Sequence, residues 1–124
     1  MEIDTLAIVQ ARMGSTRFPG KVLQEVKGQP LIEVLLRRLS LAKRIDKIVV
    51  AIPASEDNDV LSRTVRDIGF DVFRGEERDV LSRYYQAARQ YTPNLVVRVT
   101  GDCPLIDPQL VDLVVDLCKS AGAE

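Results

Sequence analysis

A basic segment at residues 10–21 carries the residue types in this sequence that are best suited to chemistry. It reads Gln-Ala-Arg-Met-Gly-Ser-Thr-Arg-Phe-Pro-Gly-Lys, with three cations, two hydroxyl side chains and no acidic residue. Glycines allow several backbone N–H groups to point into one concavity, and fixed cations add positive charge around it. The segment is therefore predicted to bind the phosphate groups of a ligand. A solvated basic loop is the alternative that composition alone leaves open.

The position of this segment favours phosphate binding. It directly follows an apolar run at residues 6–9, which is typical of a short buried strand. A loop at the carboxyl end of such a strand is where an α/β sheet holds a phosphorylated ligand. The Walker A pattern is excluded, because five residues separate Gly14 from Gly20 and Val22 follows Lys21. The dinucleotide pattern GxGxxG is absent as well, so the sequence predicts a different kind of phosphate loop.

The composition limits the chemistry that the chain can perform. The sequence contains no histidine, which excludes Ser-His-Asp and Cys-His mechanisms. Its two cysteines, Cys103 and Cys118, form no CxxC pair, so a zinc site is not expected and both are interpreted as small buried residues. Catalysis would have to rely on carboxylates, cations, backbone amides or a metal ion.

Length and charge favour a single cytoplasmic domain. A chain of 124 residues is the size of one domain, and its formal net charge of −1 argues against a nucleic-acid or membrane-surface binder. The longest apolar run is far shorter than the ~20 residues of a membrane span. No signal peptide is recognised at the start of the sequence.

Strands and helices are predicted to alternate along the chain. Strands are expected at residues 5–10, 47–52, 70–73 and 94–100. Residues 27–30 are a predicted turn, with Pro30 at the first position of a helix over residues 31–43. A second helix follows an N-cap at Ser55 and ends at Gly69, a third covers residues 80–91, and a fourth begins at Pro108 after an N-cap at Asp107. This order predicts an α/β fold in three layers, with a doubly wound and mostly parallel sheet.

The last predicted helix is apolar on almost every side, which is typical of a buried helix. No later part of this sequence would cover it, so we expect either a missing C-terminal half or an oligomer interface, such as a homodimer contact through this helix. The residues concerned are Leu110, Val111, Leu113, Val114, Val115, Leu117 and Cys118.

Residues 9–21 resemble the N-terminal motif of sugar cytidylyltransferases, in particular the acylneuraminate cytidylyltransferase family and its spore-coat polysaccharide biosynthesis F branch. Residues 72–75, 79–87 and 98–107 resemble further motifs of that branch, in the same order and at the same spacing. The resemblance implies a nucleotide-diphospho-sugar transferase-like (Rossmann-like) fold. It also implies transfer of CMP from CTP to an acidic or related sugar, with release of pyrophosphate and with Mg²⁺. CTP and a sugar substrate are the implied partners.

The same resemblance implies roles for individual residues. Arg12 and Lys21 match cations that hold the triphosphate and serve catalysis, and Asp102 matches an aspartate that binds the metal and the nucleotide. The other implied nucleotide-binding residues are Gln10, Ala11, Gly14, Ser15, Thr16, Arg74 and Asp79. Elementary chemistry agrees, because phosphoryl transfer depends on positioning and charge neutralisation, and Mg²⁺ prefers carboxylate and phosphate oxygens.

Simpler interpretations accompany these roles. Asp102 could be a turn residue before Pro104. Tyr84 and Tyr85 are better explained by packing in the core and at its rim than by base stacking, and Glu76, Glu77 and Asp79 may form only a solvated face.

The predicted unit is the nucleotide-binding half, residues 1–124, of a sugar nucleotidyltransferase domain, because relatives are about twice this length. The acceptor half, with its sugar contacts and a further metal-binding aspartate, is not expected in this chain. One rival hypothesis is a non-catalytic nucleotide-binding or assembly module. Another is a nucleotide-sugar-dependent glycosyltransferase, which the absence of a DxD motif after the fourth strand disfavours. A Rossmann-type dehydrogenase is disfavoured by the missing glycine pattern.

Overall fold

The structure is a computed structural model that describes residues 3–13, 23–26, 28–101 and 106–121. A 3-10 turn at Glu56–Asn58 precedes the second helix. In chain order the strands and helices are β1 (Thr5–Gln10), β2 (Glu25–Val26), β3 (Gln29–Pro30), α1 (Leu31–Leu39), β4 (Lys47–Pro53), α2 (Asp59–Ile68), β5 (Asp71–Gly75), α3 (Val80–Tyr91), β6 (Leu95–Thr100) and α4 (Pro108–Ser120).

The main sheet has four strands in the order β5-β4-β1-β6, and every neighbouring pair is parallel. The chain moves outward from β1 to β4 and β5, then returns to the other side of β1 to form β6. The direction of winding therefore reverses at β1. The predicted doubly wound parallel sheet is confirmed.

The sheet is covered on both faces, as its alternating side chains require. On one face the side chains of Ala7 and Val9 belong to a buried cluster with residues of α1 and α2. On the other face those of Leu6 and Ile8 pack in a cluster with Tyr84 and Ala87 of α3. These two clusters form the core of a three-layer α/β fold, and the burial of Tyr84 confirms its interpretation as a packing residue.

Two of the predicted boundaries are wrong for reasons that the pairing explains. Strand β5 continues through Arg74 and Gly75, beyond its predicted end at residue 73, because both residues still pair with β4 and the Gly75 carbonyl accepts a bond from Ala54 N. Helix α1 ends at Leu39 and not at residue 43. The N–H groups of Lys43 and Arg44 donate to the carboxylate of Asp112 in α4 and do not continue the helix.

Two predicted helix starts also differ. Pro30 is the N-cap of α1 and the last residue of β3, so it is not the first helical residue. Ser55 makes no side-chain cap, and the segment after it forms the 3-10 turn before α2 begins at Asp59. By contrast, Gly69 ends α2 with a left-handed φ of 108°, as predicted.

Helix α4 begins as predicted, since Asp107 Oδ1 accepts bonds from the N–H groups of Gln109 and Leu110 and Pro108 is the first helical residue. The expectation that this chain leaves the apolar residues of α4 uncovered is confirmed. Within α4 only Val115 is buried, and Cys118 is partly buried. Four large apolar side chains are exposed on one face, which we call the α4 face: Leu110, Leu113, Val114 and Leu117.

Candidate functional site

The reversal of winding at β1 defines the crevice where a doubly wound sheet binds its ligands, outside the carboxyl ends of the strands. Residues 11–13 leave β1 at this edge, and Gly101 leaves β6 beside them. The start of the basic segment and the residue that precedes Asp102 are therefore neighbours.

Gly101 is the point of closest approach between these two segments. Its backbone N–H donates a hydrogen bond of 2.7 Å to the carbonyl of Gln10. A Cβ atom at this position would lie 2.7 Å from that carbonyl oxygen and 3.1 Å from the Cβ of Ala11. Only glycine fits there without displacing the backbone of β1.

Asn58 holds the other side of the basic segment. Its Oδ1 accepts a 2.8 Å bond from the N–H of Met13, and its Nδ2 donates to Ser55 Oγ at 2.9 Å. The side chain is 2 % exposed, so both ends of a buried amide are satisfied. Sequence reasoning did not identify Asn58, because an asparagine at the start of a helix is ordinarily interpreted as a cap.

Three of the predicted nucleotide-binding residues lie at this edge. Gln10 ends β1 on the face that packs against α3, and its Oε1 is buried with no partner among the described residues. Ala11 is buried in the core, so only its backbone is available to a ligand. Arg12 is exposed and lies close enough to Arg83 for its charge to lower the pKa of that guanidinium.

Arg74 and Asp79 have local partners in this structure. The Arg74 guanidinium donates to the carbonyls of Pro53 and Ser55 and to Asp59 Oδ1, all at about 3 Å. Asp79 is the N-cap of α3 and accepts a 3.0 Å bond from the N–H of Ser82. Their contacts with a nucleotide stay a prediction.

Arg83 is a residue of the site edge that sequence reasoning missed. Its side chain is fully buried, and Nη1 donates to the carbonyls of Glu76 at 2.5 Å and Glu77 at 3.2 Å. Its Nε and Nη2 atoms have no hydrogen-bond partner among the described residues. Burial first, and then the positive charge of Arg12, lower the pKa of Arg83. An arginine beside an apolar helix face is usually a surface residue, so the sequence offered no signal of this burial.

The remaining predicted site residues lie outside the described ranges: Gly14, Ser15, Thr16, Lys21 and Asp102. Within the described ranges no group of three or more His, Cys, Asp or Glu residues could hold a metal ion. No helix in the same ranges is long and apolar enough to cross a membrane.

An apolar groove of about 260 Å³ lies between β6 and α4. It is lined by side chains that include Val97, Ile106 and Leu110, and it is continuous with the α4 face. Strand β6 is also an edge strand of the sheet. Among the described residues, an edge strand and an apolar helix face therefore lie next to each other.

Comparison with known proteins gives a consistent result. The sequence model of the cytidylyltransferase family matches residues 6–124. The chain is 38% identical over 125 residues to the spore coat polysaccharide biosynthesis protein SpsF of Bacillus subtilis. This match covers 98% of this chain and 52% of that protein. It is 37% identical over 111 residues to a 3-deoxy-manno-octulosonate cytidylyltransferase of Anaeromyxobacter sp. strain K, covering 87% of this chain and 44% of the relative.

A solved structure agrees with these sequence matches. The structure of a cytidylyltransferase from Leptospira borgpetersenii superposes with a TM-score of 0.88 at 38% identity, covering 94% of this chain and 49% of that one. The chain thus spans about half the length of the relatives it matches. The resemblance found in the sequence motifs is confirmed, together with the nucleotide-diphospho-sugar transferase fold that it implied.

Proposed function

This chain belongs to the cytidylyltransferase family, and we propose that it is the nucleotide-binding half of an enzyme that transfers CMP from CTP to an acidic or related sugar. The observation that carries the proposal is the closed β1–β6 edge, where the N–H of Gly101 bonds to the Gln10 carbonyl beside the basic segment. This edge brings the start of the basic segment next to Gly101, the residue that precedes Asp102 in the sequence. A cytoplasmic location belongs to the same proposal.

In this proposal the residues of the basic segment bind the nucleotide. Arg12 and Lys21 neutralise the triphosphate, and the backbone of Gly14, Ser15 and Thr16 approaches it. Gln10 and Ala11 contact the nucleotide from the end of β1. Arg74 and Asp79 contact base and ribose from the β5–α3 side.

Asp102 is proposed to bind Mg²⁺ together with phosphate oxygens of CTP. The residue directly follows Gly101, which holds that point of the chain against the end of β1. A carboxylate is the hard oxygen donor that Mg²⁺ prefers, so the donor type fits the ion. When bound, Mg²⁺ neutralises phosphate charge and orients the triphosphate.

The reaction balances without a histidine. A hydroxyl oxygen of the sugar forms a bond to the α-phosphorus and its proton passes to water, while the bond from that phosphorus to the bridging oxygen of the β-phosphate breaks and pyrophosphate leaves. Negative charge accumulates on the leaving group, where Arg12 and Lys21 stabilise it. The acceptor half of the relatives would supply the sugar contacts, so this chain alone is proposed to bind CTP and to turn over only with that half.

Calorimetric titration of the 124-residue chain with CTP, UTP and ATP tests the proposal, each with and without Mg²⁺. We expect selective CTP binding that Mg²⁺ strengthens. Arg12→Ala and Lys21→Ala should each weaken it without unfolding the chain, and Asp102→Asn should remove the Mg²⁺ dependence. Arg63→Ala, on the exposed side of α2, is the matched control. A folded chain that binds none of the three nucleotides would contradict the proposal.

The second candidate function is a non-catalytic nucleotide-binding or assembly module. Measuring pyrophosphate release together with CTP binding distinguishes the two candidate functions. CTP binding without pyrophosphate release, even after addition of the acceptor half of a relative, supports the non-catalytic module. We further propose that the α4 face associates with a second copy of the chain.

A further inference from the structure

Only some of the hydrogen-bond donors of the Arg83 guanidinium have an acceptor among the described residues. A guanidinium carries five N–H groups, and those of Nε and Nη2 form one side of its planar fork. Nη1 is occupied by the carbonyls of residues 76 and 77. Within the part of the chain that the structure describes, the Nε and Nη2 side has no acceptor, although the side chain is fully buried.

The charge of Arg83 lacks a directly bonded anion among the described residues. Glu76 and Glu77 bond to it through backbone carbonyls, and their carboxylates act on it only through space. Arg12, just after β1, is a neighbouring cation. A buried charge is costly unless it is paired, so two neighbouring cations without a bonded anion indicate that an anion completes the site.

The position of Arg83 connects it to the crevice. It lies in the first turns of α3, and its Cγ is 3.2 Å from the position that a Cβ of Gly75 would occupy at the end of β5. Its neighbour Tyr84 packs with Leu6 and Ile8, which lie on the same face of β1 as Gln10. A buried acceptor without a partner, Gln10 Oε1, therefore lies at the same edge of the same face.

We propose that Arg83 binds an anionic phosphate oxygen of the nucleotide through Nε and Nη2, while Nη1 continues to hold residues 76 and 77. The side-on fork is the geometry that guanidinium groups use for bidentate contacts with phosphate. Because the Arg83 side chain is fully buried, the proposed binding requires a shift of the exposed residues 76–77 that keeps their carbonyls bonded to Nη1. The inference rests on the proposed function for the identity of the ligand.

NMR on the unaltered chain tests the contact directly. The Nε–Hε signals of a ¹⁵N-arginine-labelled sample are followed during titration with inorganic tripolyphosphate and with CTP. We expect the Arg83 signal to shift with both ligands and to saturate, while the signal of Arg89, exposed on the same helix, stays in place. An Arg83 signal that does not move while either ligand binds would overturn the inference.

Variants then measure the effect on affinity. Arg83→Lys keeps the charge but loses the fork, and we expect at least about tenfold weaker tripolyphosphate and CTP binding. Arg89→Lys should stay within about twofold of the original chain. Cytidine, which has no phosphate, should bind Arg83→Lys and the original chain equally. Equal losses for cytidine and CTP would reassign Arg83 to the base or to the fold and overturn the inference.

The outcomes separate this inference from the proposed function. Arg83-dependent binding of tripolyphosphate without preference for CTP would keep the inference and contradict the cytidylyltransferase role. Selective CTP binding that is unchanged in a folded Arg83→Lys variant would support the cytidylyltransferase role and overturn the inference about Arg83. Absence of binding to either ligand would overturn both. If Arg83→Lys fails to fold, the NMR titration of the unaltered chain decides.

Discussion

The backbone N–H of Gly101 lies 2.7 Å from the carbonyl oxygen of Gln10 and joins the ends of β1 and β6. This contact extends the pairing of the two strands by one residue beyond Thr100. The basic segment and the segment with Asp102 leave the sheet from this point. The separation of the proposed cationic and metal-binding groups therefore depends on a glycine.

Gly101→Ala tests this relationship. The added methyl would lie 2.7 Å from the Gln10 oxygen, closer than real contacts allow, so the ends of β1 and β6 must separate. We expect a loss of about 1–3 kcal/mol in the free energy of unfolding, the usual cost of overpacking, and weaker CTP binding. Urea denaturation and calorimetry measure the two effects.

Gly69→Ala is the control for this substitution. Gly69 has a positive φ and no atom near the position of a Cβ, so its cost is about 1 kcal/mol of backbone strain, far from the crevice. CTP affinity should remain unchanged in this variant. A Gly101→Ala chain as stable as the original, with full affinity, would show that the two strand ends tolerate separation.

Asn58→Ala removes the anchor of the basic segment. The N–H of Met13 would lose its acceptor, and the hydroxyl of Ser55 would lose a donor. Leaving such groups unpaired costs about 1–3 kcal/mol, so the midpoint of urea unfolding should fall and CTP should bind less tightly. The control is Asn94→Ala, whose exposed amide bonds to Asp4 and should contribute less than about 0.5 kcal/mol. Equal losses of stability and of CTP affinity in the two variants would show that Asn58 does not anchor the basic segment.

Most of the fold could be predicted because apolar periodicity determines it. The bounds of β1 and α3 agree with the structure at both ends, since each has a regular buried face and clear terminal residues. The predicted end of β5 was wrong, because polar residues are compatible with an edge strand such as β5 and do not mark where it ends. The hairpin of β2 and β3 is too short to show a period.

The site was predictable only in part. The basic segment is recognisable from residue types that are contiguous in sequence. Asn58 and Arg83 contribute through burial and through contacts with residues distant from the basic segment in sequence, which no local pattern reveals. The roles of Arg74 and Asp79 came from resemblance, and the structure adds local partners that a single sequence does not indicate.

Asp112 predicts a dependence of stability on pH. Its carboxylate accepts bonds from the N–H groups of Lys43 and Arg44, and these bonds lower its pKa below that of an ordinary aspartate. A lowered pKa in the folded chain stabilises it above the pKa of the unfolded state, and this contribution is lost as the pH falls through the folded value. The window therefore lies below about pH 4.

The measurement compares Asp112→Asn with the original chain in urea at pH 7 and pH 3. We expect the variant to be less stable at pH 7 and the difference to narrow at pH 3, because the protonated carboxylate loses the same interactions. Asp67→Asn, on the exposed side of α2, is the matched control for the substitution itself. If the difference in stability between Asp112→Asn and the original chain is the same at pH 7 and pH 3, these N–H bonds do not favour the charged carboxylate.

The α4 face predicts self-association of the 124-residue chain. Leu110, Leu113, Val114 and Leu117 recur at helical spacing and are each about half exposed or more, beside the apolar groove along the edge strand β6. Burying such a surface releases about 25 cal/mol for each Å² removed from water.

Sedimentation velocity should therefore show a dimer whose fraction rises with concentration. The double substitution Leu113→Asp and Leu117→Asp should leave monomers, because it would place two carboxylates in the contact. Leu41→Asp changes an equally exposed leucine, 68% against 60% for Leu117, outside α4 and should leave the dimer intact. If Leu41→Asp disrupts association as strongly as the double variant, association does not depend on the α4 face. If the original chain is monomeric at every concentration, no second copy covers it.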